Sequence, residues 1–596
     1  MTKLIQFTSG LTRRSFLKGA TGAALAPAVL SCDLGDPQPG DLFTLGVVSG
    51  EPSAESVVLW TRLAPDPLNG GGLSKEVVQV RWEVALDPGM GQVVQSGSTL
   101  SFAENGHAVH IQVRGLEPDQ WYWYRFRALD QNSRVGRTRT FPAPGQPAER
   151  MRFALASCQN YTAGFYAAYR DMAEQDLDFV VHVGDYIYES GASGNPLDPT
   201  RNHLGSEIFS VEDYRNRYAL YRLDPQLQDA HAALPFVVTW DDHEVDNDYA
   251  AAIAEEGAPF QGAEFLERRG NAYQVYAETM PLRAGARFQQ PGGGMRLHRT
   301  LSFGDLAVFH MLDTRQYRTD QPAADGFGST DPDITPAEAQ LLERIVGEPI
   351  FDRDGILHPE ASMLGHRQEA WLAERLGQSR GHWNVLAQQV MMMRWNLVQA
   401  ATLQVAVDTS LSPADRAAAL QALSMVDDFL NMDAWDGARA AQDRMRQILK
   451  GSGASNPVVL TGDVHSAFAA NLLEDVDDPA SDMRAAEFVC TSISSTFAGR
   501  DPRPIDAAVR FSLNANPHIE FFNGLFRGYC ICDVDESRWE TEYRGVGTVA
   551  DAFSQRPDSL SPRADSPVET DALISIQSGF NEPDSGIRLQ TLYTRI

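Results

Sequence analysis

Three stretches of this chain place metal-competent side chains directly after apolar runs. The first supplies Cys158, the second supplies Asp185 and Tyr188, and the third supplies Asp463 and His465. In open α/β sheets, ligands gather beyond the carboxyl ends of the strands, so chemistry repeated at the ends of such runs predicts one shared site. The sequence therefore predicts a metal-dependent enzyme.

The donor types indicate which metal this site would hold. Asp185 and Tyr188 are three residues apart, close enough to reach one ion. A phenolate oxygen suits trivalent iron, and Cys158 adds a thiolate. His465 follows Asp463 by two residues and offers an imidazole, because residues i and i+2 of an extended backbone face the same way.

A fourth segment, Asp241 to Glu244, adds oxygen ligands and a second imidazole. We expect Asp185 to bridge two ions while Asp242 and Asp463 hold the second, whose oxygen ligands suit calcium, magnesium or manganese. Two cations a few ångströms apart are a recognised clamp for phosphoryl transfer. Each residue alone has a structural alternative, such as a turn for Asp463 or a buried thiol for Cys158, so the prediction depends on the whole set.

Length and charge exclude some classes of protein. The chain has 596 residues and a formal net charge of −29, with 43% hydrophobic and 22% charged residues. This length favours two domains of ordinary globular composition. No Lys/Arg-rich run offsets the negative charge, which argues against nucleic-acid binding through phosphates. Because of this charge, an anionic substrate would have to be attracted by bound cations. The chain has five cysteines, which are too few for a disulfide framework.

The amino-terminal sequence predicts a targeting segment. Arg13 and Arg14 precede a weakly apolar stretch, Gly19 to Leu30, which is too short to span a membrane, and the arrangement resembles the twin-arginine export signal. The residues ending at Cys32 also resemble a lipoprotein cleavage box, which would leave a lipid anchor on that cysteine; earlier cleavage is the competing interpretation. We exclude residues 1–32 from the fold and expect a periplasmic or extracellular protein.

The pattern from about residue 40 to 145 predicts a β-sandwich, because short alternating strands are separated by Gly, Pro and Asn turns. The corner motif Leu116-x-Pro118-x-x-x-Tyr122-x-Tyr124 resembles that of fibronectin type III domains. We expect it to have a structural role or to lie at the rim of the substrate site.

From residue 148 to 596 apolar strands alternate with helical stretches, which predicts an α/β domain. Residues 319–362 are predicted to be an irregular insertion. The tail from about Asp551 is polar and is predicted to cover a face rather than form core.

Three motifs together resemble one enzyme family: Gly184-Asp185-x-x-Tyr188, Asp241-Asp242-His243-Glu244 and Gly462-Asp463-Val464-His465. They are similar to those of the PhoD-type alkaline phosphatases, which are relatives of the purple acid phosphatases and other calcineurin-like metallophosphoesterases. The resemblance implies a fibronectin-III-like β-sandwich followed by a two-sheet αββα metallophosphoesterase domain.

The resemblance also implies a role for each site residue. Ferric iron would lie on Cys158, Asp185, Tyr188 and His465, and calcium, with magnesium or manganese as alternatives, on Asp185, Asp242, Asp463 and Asn247.

Two residues are expected to act on the substrate. His243 holds the place of the histidine that contacts the phosphate or leaving group in related enzymes. Arg315 is the expected cationic phosphate contact, because its planar fork matches phosphate oxygens; an ordinary salt bridge is the alternative for this residue.

The expected activity is hydrolysis of a small phosphate ester or phosphodiester by a metal-activated water. A phosphodiesterase or phospholipase D-like hydrolase is the nearest alternative. A non-catalytic, calcium-stabilised surface binding protein is a more distant one. The other expected partner is the twin-arginine export machinery.

Overall fold

The structure is a computed structural model. It describes residues 40–73, 75, 77–192, 201–255, 257–286, 294–321, 327–328, 358–407, 412–424, 430–497, 503–546, 568–583 and 585–594. The predicted export signal with Cys32 and most of the predicted insertion at 319–362 lie outside these ranges.

The strands of the described residues fall into four sheets. Their bounds are β1 Val47–Ser53, β2 Ser56–Arg62, β3 Val78–Ala85, β4 Val93–Ser101, β5 Ala108–Arg114, β6 Trp121–Ala128, β7 Gln131–Asn132, β8 Gly136–Arg139, β9 Met151–Ala156, β10 Phe179–His182, β11 Pro235–Val238, β12 Arg299–Phe303, β13 Ala307–Met311, β14 Phe327–Gly328, β15 Trp383–Ala387, β16 Leu430–Asn431, β17 Pro457–Thr461, β18 Ala467–Leu473, β19 Met483–Val489, β20 Ile519–Asn523, β21 Arg527–Val534, β22 Arg538–Val546, β23 Val568–Gln577 and β24 Gln590–Thr594.

The helices lie between these strands. Their bounds are α1 Ala167–Glu174, α2 Val211–Arg222, α3 Pro225–Ala233, α4 Gly262–Thr279, α5 Gly365–Gln378, α6 Val398–Val407, α7 Pro413–Leu423, α8 Arg439–Ser452 and α9 Arg503–Ser512.

Two large sheets form the centre of the molecule. The first has the order β24-β23-β22-β21-β9-β10-β11-β1-β2-β5, and the second β12-β13-β15-β17-β19-β18-β20. Apolar side chains of both sheets share one core; Phe153 of the first sheet lies 5.4 Å from Phe309 of the second, between ring centroids. Helices α1 to α4 pack on the outer side of the first sheet, and α5 and α8 on that of the second. This four-layer arrangement confirms the predicted αββα fold.

The amino-terminal β-sandwich is also confirmed. The sheet β4-β3-β6-β7, with β8 paired to β6, shares a core with β1, β2 and β5. β1 also pairs in parallel with β11, in the register Ser49↔Pro235, so the sandwich continues directly into the first large sheet. The domain boundaries at 40–145 and 148–596 stay predictions.

The prediction for the tail was wrong where the structure describes it. β23 and β24 add two strands to the edge of the first sheet. Ala572, Ile574 and Ile576 alternate along β23 and are buried in the core between the two large sheets, together with Phe580 and Leu589. This period-two pattern is typical of a strand with one buried face, and the polar composition of the preceding residues obscured it.

Within the part of the chain that the structure describes, no helix is both long and apolar enough to cross a membrane.

Candidate metal centre

The predicted ligands follow the carboxyl ends of strands from both large sheets. β9 ends two residues before Cys158, and β10 ends three residues before Asp185. β11 ends four residues before Asp242, and β17 of the second sheet ends two residues before Asp463. Short connections after parallel strands thus carry the chemistry, as the strand-end rule for α/β sheets requires.

Several of these residues have a left-handed backbone. The φ angles are 57° at Cys158, 56° at Asp185, 65° at Asp463 and 56° at His465. The extended backbone predicted for Asp463 and His465 was therefore wrong, although both side chains still reach the centre. A non-glycine residue in this region costs about 1–3 kcal/mol, and such residues cluster at functional sites.

Two glycines let the strand ends approach each other. At Gly184, which has a φ of 117°, an added Cβ would lie 2.4 Å from Asp241 Cβ. At Gly462 it would lie 2.5 Å from Ser157 Oγ and 3.1 Å from Val183 Cγ2, which directly follow β9 and β10 of the opposite sheet. The glycines of the two Gly-Asp motifs are therefore required by packing.

The donors predicted for iron lie together. Cys158, Asp185 and His465 each offer one ligand atom, and these atoms are within 4.8 Å of one another. The Tyr188 hydroxyl donates to Asp185 Oδ2 at 2.9 Å and lies 3.1 Å from His465 Nε2. Ser495 Oγ donates to the same hydroxyl at 2.7 Å. One small volume thus holds a thiol, a carboxylate, a phenol and an imidazole.

A second group adjoins the first through Asp185. Ligand atoms of Asp185, Asp242 and His243 are within 4.8 Å of one another. Asp185 Oδ1, Asn247 Oδ1 and both carboxylate oxygens of Asp463 are buried and accept no hydrogen bond from any described residue. Asp242 Oδ1 likewise accepts none, although an Arg315 nitrogen lies 3.6 Å away. These unsatisfied oxygens belong to the residues predicted for the second ion.

Two buried carboxylates of the centre, Asp185 and Asp463, are unfavourable in their charged form unless positive charge is added. Burial raises the pKa of Asp185 well above its usual value, and the nearby Asp242 adds to this against the opposing effect of His243. Burial, with Asp241, Asp433 and Asp242 nearby, does the same at Asp463. A buried carboxylate without a counter-charge is unfavourable unless a cation or a proton neutralises it.

The other donors show the same requirement. Burial and the Asp185 carboxylate raise the pKa of Cys158 and of Tyr188, so a bound cation would be needed to deprotonate either one. Burial lowers the pKa of His465 to about 3, which keeps its ring neutral as a ligand must be. The chemistry of this donor set therefore fits metal ions.

His243 stands beside these donors and has its own carboxylate partner. Its Nδ1 lies 2.7 Å from Glu189 Oε2, and its ring centroid lies 4.1 Å from that of Tyr188. Burial lowers the pKa of His243, but Glu189, Asp185 and Asp242 outweigh burial and raise that pKa well above its usual value. With Nδ1 engaged by Glu189, Nε2 is the ring nitrogen that can bind another group.

The guanidinium of Arg315 is fully buried and bound by carboxylates. Nε donates to Asp241 Oδ1 at 2.5 Å, and Nη1 and Nη2 each donate to Asp433 at 2.8 Å. Arg318 Nη1 also donates to Asp433 at 2.8 Å. The structure thus gives Arg315 a role in holding two loops together, and its predicted contact with a phosphate stays a prediction.

Sequence reasoning assigned no role to Glu189 and counted Glu244 only among the oxygen donors of the Asp241 to Glu244 segment. Glu244 Oε2 accepts from the backbone nitrogens of Asp185 at 3.0 Å and Asp241 at 2.9 Å, and Oε1 accepts from Tyr186 at 2.7 Å. It therefore ties the loop after β10 to the loop after β11. Glu244 is the last residue of a recognised motif, and Glu189 directly follows the motif residue Tyr188; these positions were the only signals in the sequence.

Comparison with known proteins agrees with this geometry. The family model "PhoD-like phosphatase" matches residues 153–543, and "PhoD-like phosphatase, N-terminal domain" matches residues 30–142. Alkaline phosphatase D of Bacillus subtilis (strain 168) is 42% identical over 547 residues, which cover 91% of this chain and 84% of that protein. A solved structure described as the structure of PhoD has 39% identity and a TM-score of 0.77, covering 96% of this chain and 94% of that one. The chain belongs to the PhoD-like phosphatase family, and it is a phosphatase.

Proposed function

We propose that this phosphatase hydrolyses phosphate esters at a binuclear metal centre built from the strand-end residues. The observation that carries the proposal is the set of buried carboxylate and amide oxygens on Asp185, Asp242, Asn247 and Asp463 that accept no hydrogen bond. Buried polar atoms are nearly always paired, so these unpaired oxygens, together with a thiol and an imidazole whose ligand atoms lie within 4.8 Å of an Asp185 oxygen, support cation binding.

Ferric iron is proposed on Cys158, Asp185, Tyr188 and His465, whose donors combine a thiolate, a phenolate, a carboxylate and an imidazole. Calcium, with magnesium or manganese as alternatives, is proposed on Asp185, Asp242, Asp463 and Asn247, which offer only oxygen. Two adjacent cations would bind phosphoryl oxygens and lower the pKa of the attacking water.

His243 is proposed to protonate the departing oxygen of the ester. The Glu189 carboxylate accepts from Nδ1–H and so directs Nε2–H toward the substrate, and Tyr188 supports one side of the ring. A general acid must be held at hydrogen-bond distance from the atom that it protonates, and this pair of contacts restricts the ring to one orientation.

The contact of Arg315 with the phosphate remains part of the proposal. Its Nη2 lies 3.6 Å from Asp242 Oδ1 and is the guanidinium nitrogen nearest to a proposed ligand. A phosphate contact would form there. The bonds to Asp241 and Asp433 would hold the guanidinium in place.

Export by the twin-arginine route is proposed from Arg13 and Arg14. After export, the signal would be cleaved either before Cys32, which would then be lipidated, or at an earlier position. Replacing Arg13 and Arg14 by Lys preserves charge, and we expect it to retain the enzyme in the cytoplasm. Fractionation of the host cell measures this, with Lys3→Arg as the control. Undiminished export of the double variant would contradict the proposed route.

Replacing Cys158 by Ser removes the sulfur donor, and we expect bound iron and phosphatase activity to fall together. Cys532→Ser is the matched control, since Cys532 is also a buried thiol but has Thr541 as its neighbour. Elemental analysis of both purified variants measures the iron. Normal iron content in Cys158→Ser would remove this residue from the ligand set.

Replacing His243 by Ala tests the general acid through the leaving group. We expect kcat to fall roughly 100- to 10,000-fold on an alkyl phosphate, with a much smaller loss on 4-nitrophenyl phosphate, whose leaving group needs no proton. Bound metal should be unchanged. His366→Ala, on the surface, is the control. Equal losses on both substrates would argue against protonation by His243.

Replacing Glu189 by Gln keeps the shape of the side chain but removes the charged acceptor. We expect kcat to fall about 10- to 100-fold with metal content retained, as is typical when a residue that orients a site group is lost. Glu360→Gln is the matched control, because Glu360 forms a 2.8 Å pair with His366 on the surface. Loss of metal in Glu189→Gln would instead indicate a structural role at the ligands.

A further inference from the structure

The outer face of the five-stranded sheet of the sandwich carries an unusual group of side chains. Along β3 and β6 the inward residues, such as Val80 and Tyr124, are buried, whereas Arg81 and Arg127 are exposed. Arg81 lies directly opposite Arg127 in the β3–β6 register. Because opposite residues of an antiparallel pair share a face, the two guanidinium groups emerge side by side.

A third arginine extends this group. Arg125 lies opposite Glu83, and its Nε is 2.6 Å from Glu83 Oε2. Arg127 Nη1 lies 3.9 Å from the other oxygen of the same carboxylate, and the Arg127 side chain is 49% exposed. The positions of β3 and β6 on this face thus carry three arginines and one acid. We call Arg81, Arg125, Arg127, Trp123 and Leu100 the arginine face.

This local excess of positive charge contrasts with a chain of net charge −29. Charges farther away than about 8 Å are largely screened at physiological ionic strength, so a docking partner responds to the local face rather than to the whole molecule. The arginines come from two strands with other residues between them, which is why no basic run is visible in the sequence.

Apolar side chains flank the arginines on the same face. Leu100 of β4 is 50% exposed and lies opposite Gln79, which is on the same side of β3 as Arg81. Val93, which is 44% exposed, and Trp123 both lie opposite Ala85. Arginine, tryptophan and exposed aliphatic residues together are typical of surfaces at the boundary between lipid and water, whereas a soluble polyanion needs no apolar neighbours.

The path of the chain supports the same partner. Gln131 of β7 binds the first described residues: its Nε2 donates to Gly40 O at 2.6 Å, and its Oε1 accepts from Leu42 N at 2.9 Å. β7 pairs with the end of β6 that carries Arg127. Cys32 lies eight residues before Gly40 (40 − 32), and eight extended residues span at most roughly 26–29 Å. A lipid on Cys32 could therefore enter the surface on which this edge of the sandwich rests.

We propose that the arginine face docks on the anionic headgroups of a lipid bilayer. The guanidinium groups of Arg81, Arg125 and Arg127 bind headgroup phosphates, and Leu100 and Trp123 enter the interface between headgroups and acyl chains. The proposal concerns residues of β3, β4 and β6, none of which is a proposed metal ligand, and it uses the lipid anchor of the proposed function only as support. The quantity to test is therefore lipid binding by the arginine face in a protein that lacks the lipid anchor.

The test uses protein produced from Asp33 onward, which contains every described residue and no acyl chain. Its sedimentation with vesicles of equimolar phosphatidylglycerol and phosphatidylcholine is compared with that on pure phosphatidylcholine. We expect binding to the anionic vesicles only, and the double variant Arg81→Gln, Arg127→Gln should weaken it about 10-fold or more. Leu100→Ser should also weaken it.

The matched control is Arg367→Gln with Arg380→Gln, two exposed arginines on or beside α5, which should leave binding unchanged. Rates on a soluble phosphate monoester should be the same for all variants, so failure of this proposal is distinguishable from failure of the catalytic one. Equal vesicle binding by Arg81→Gln, Arg127→Gln and the parent protein would overturn it. Equal binding to neutral vesicles, or a preference for soluble polyphosphate over anionic vesicles, would overturn it as well.

Discussion

The structure depends on a concentration of buried negative charge that the protein neutralises only in part. Burial opposes the charged form of Asp242, but Arg315 and His243 lower its pKa, whereas the pKa values of Asp185 and Asp463 stay raised by burial. Asp185, Asp242 and Asp463 follow the ends of strands from two sheets, and ligand atoms of Asp185 and Asp242 lie within 4.8 Å of each other. Several oxygens of the three carboxylates lack any hydrogen-bond donor among the described residues. The guanidinium of Arg315 is already committed to Asp241 and Asp433. In a buried environment, like charges at this separation require bound cations or protons, so the fold is built around a space for metal ions.

The surrounding scaffold can be understood as the means of holding these carboxylates together. Cys158 and Asp185, shortly after the ends of β9 and β10, both have a left-handed backbone, and their ligand atoms lie within 4.8 Å of each other. Gly184 and Gly462 allow contacts that a Cβ would block. Glu244 connects two loops through three backbone amides. Extensive packing between the two sheets offsets the cost of this strain, as is usual where a rigid core supports a functional site.

Much of this arrangement could be predicted from the sequence because it is local. The apolar runs and the motif residues after them lie within a few positions of each other, so the α/β class and the donors that follow the strands could be read from the pattern. The four-layer αββα arrangement was implied only by the family resemblance. The partners of Arg315 could not be predicted, since Asp241 and Asp433 are 74 and 118 residues away along the chain. The strands at Val568–Gln577 and Gln590–Thr594 were missed because polar composition hid a period-two pattern. The arginine face could not be predicted from the sequence either, because its residues come from different strands and are brought together only by the pairing of those strands.

The central claim is that sulfur, phenol, carboxyl and imidazole donors hold a ferric ion beside a second cation. Elemental analysis of the enzyme purified from its native host, together with its visible absorption spectrum, tests this claim most directly. The account predicts stoichiometric iron with calcium or a similar divalent ion, and a phenolate-to-iron charge-transfer band that disappears in Tyr188→Phe. A fully active enzyme that contains no iron and shows no such band would contradict it.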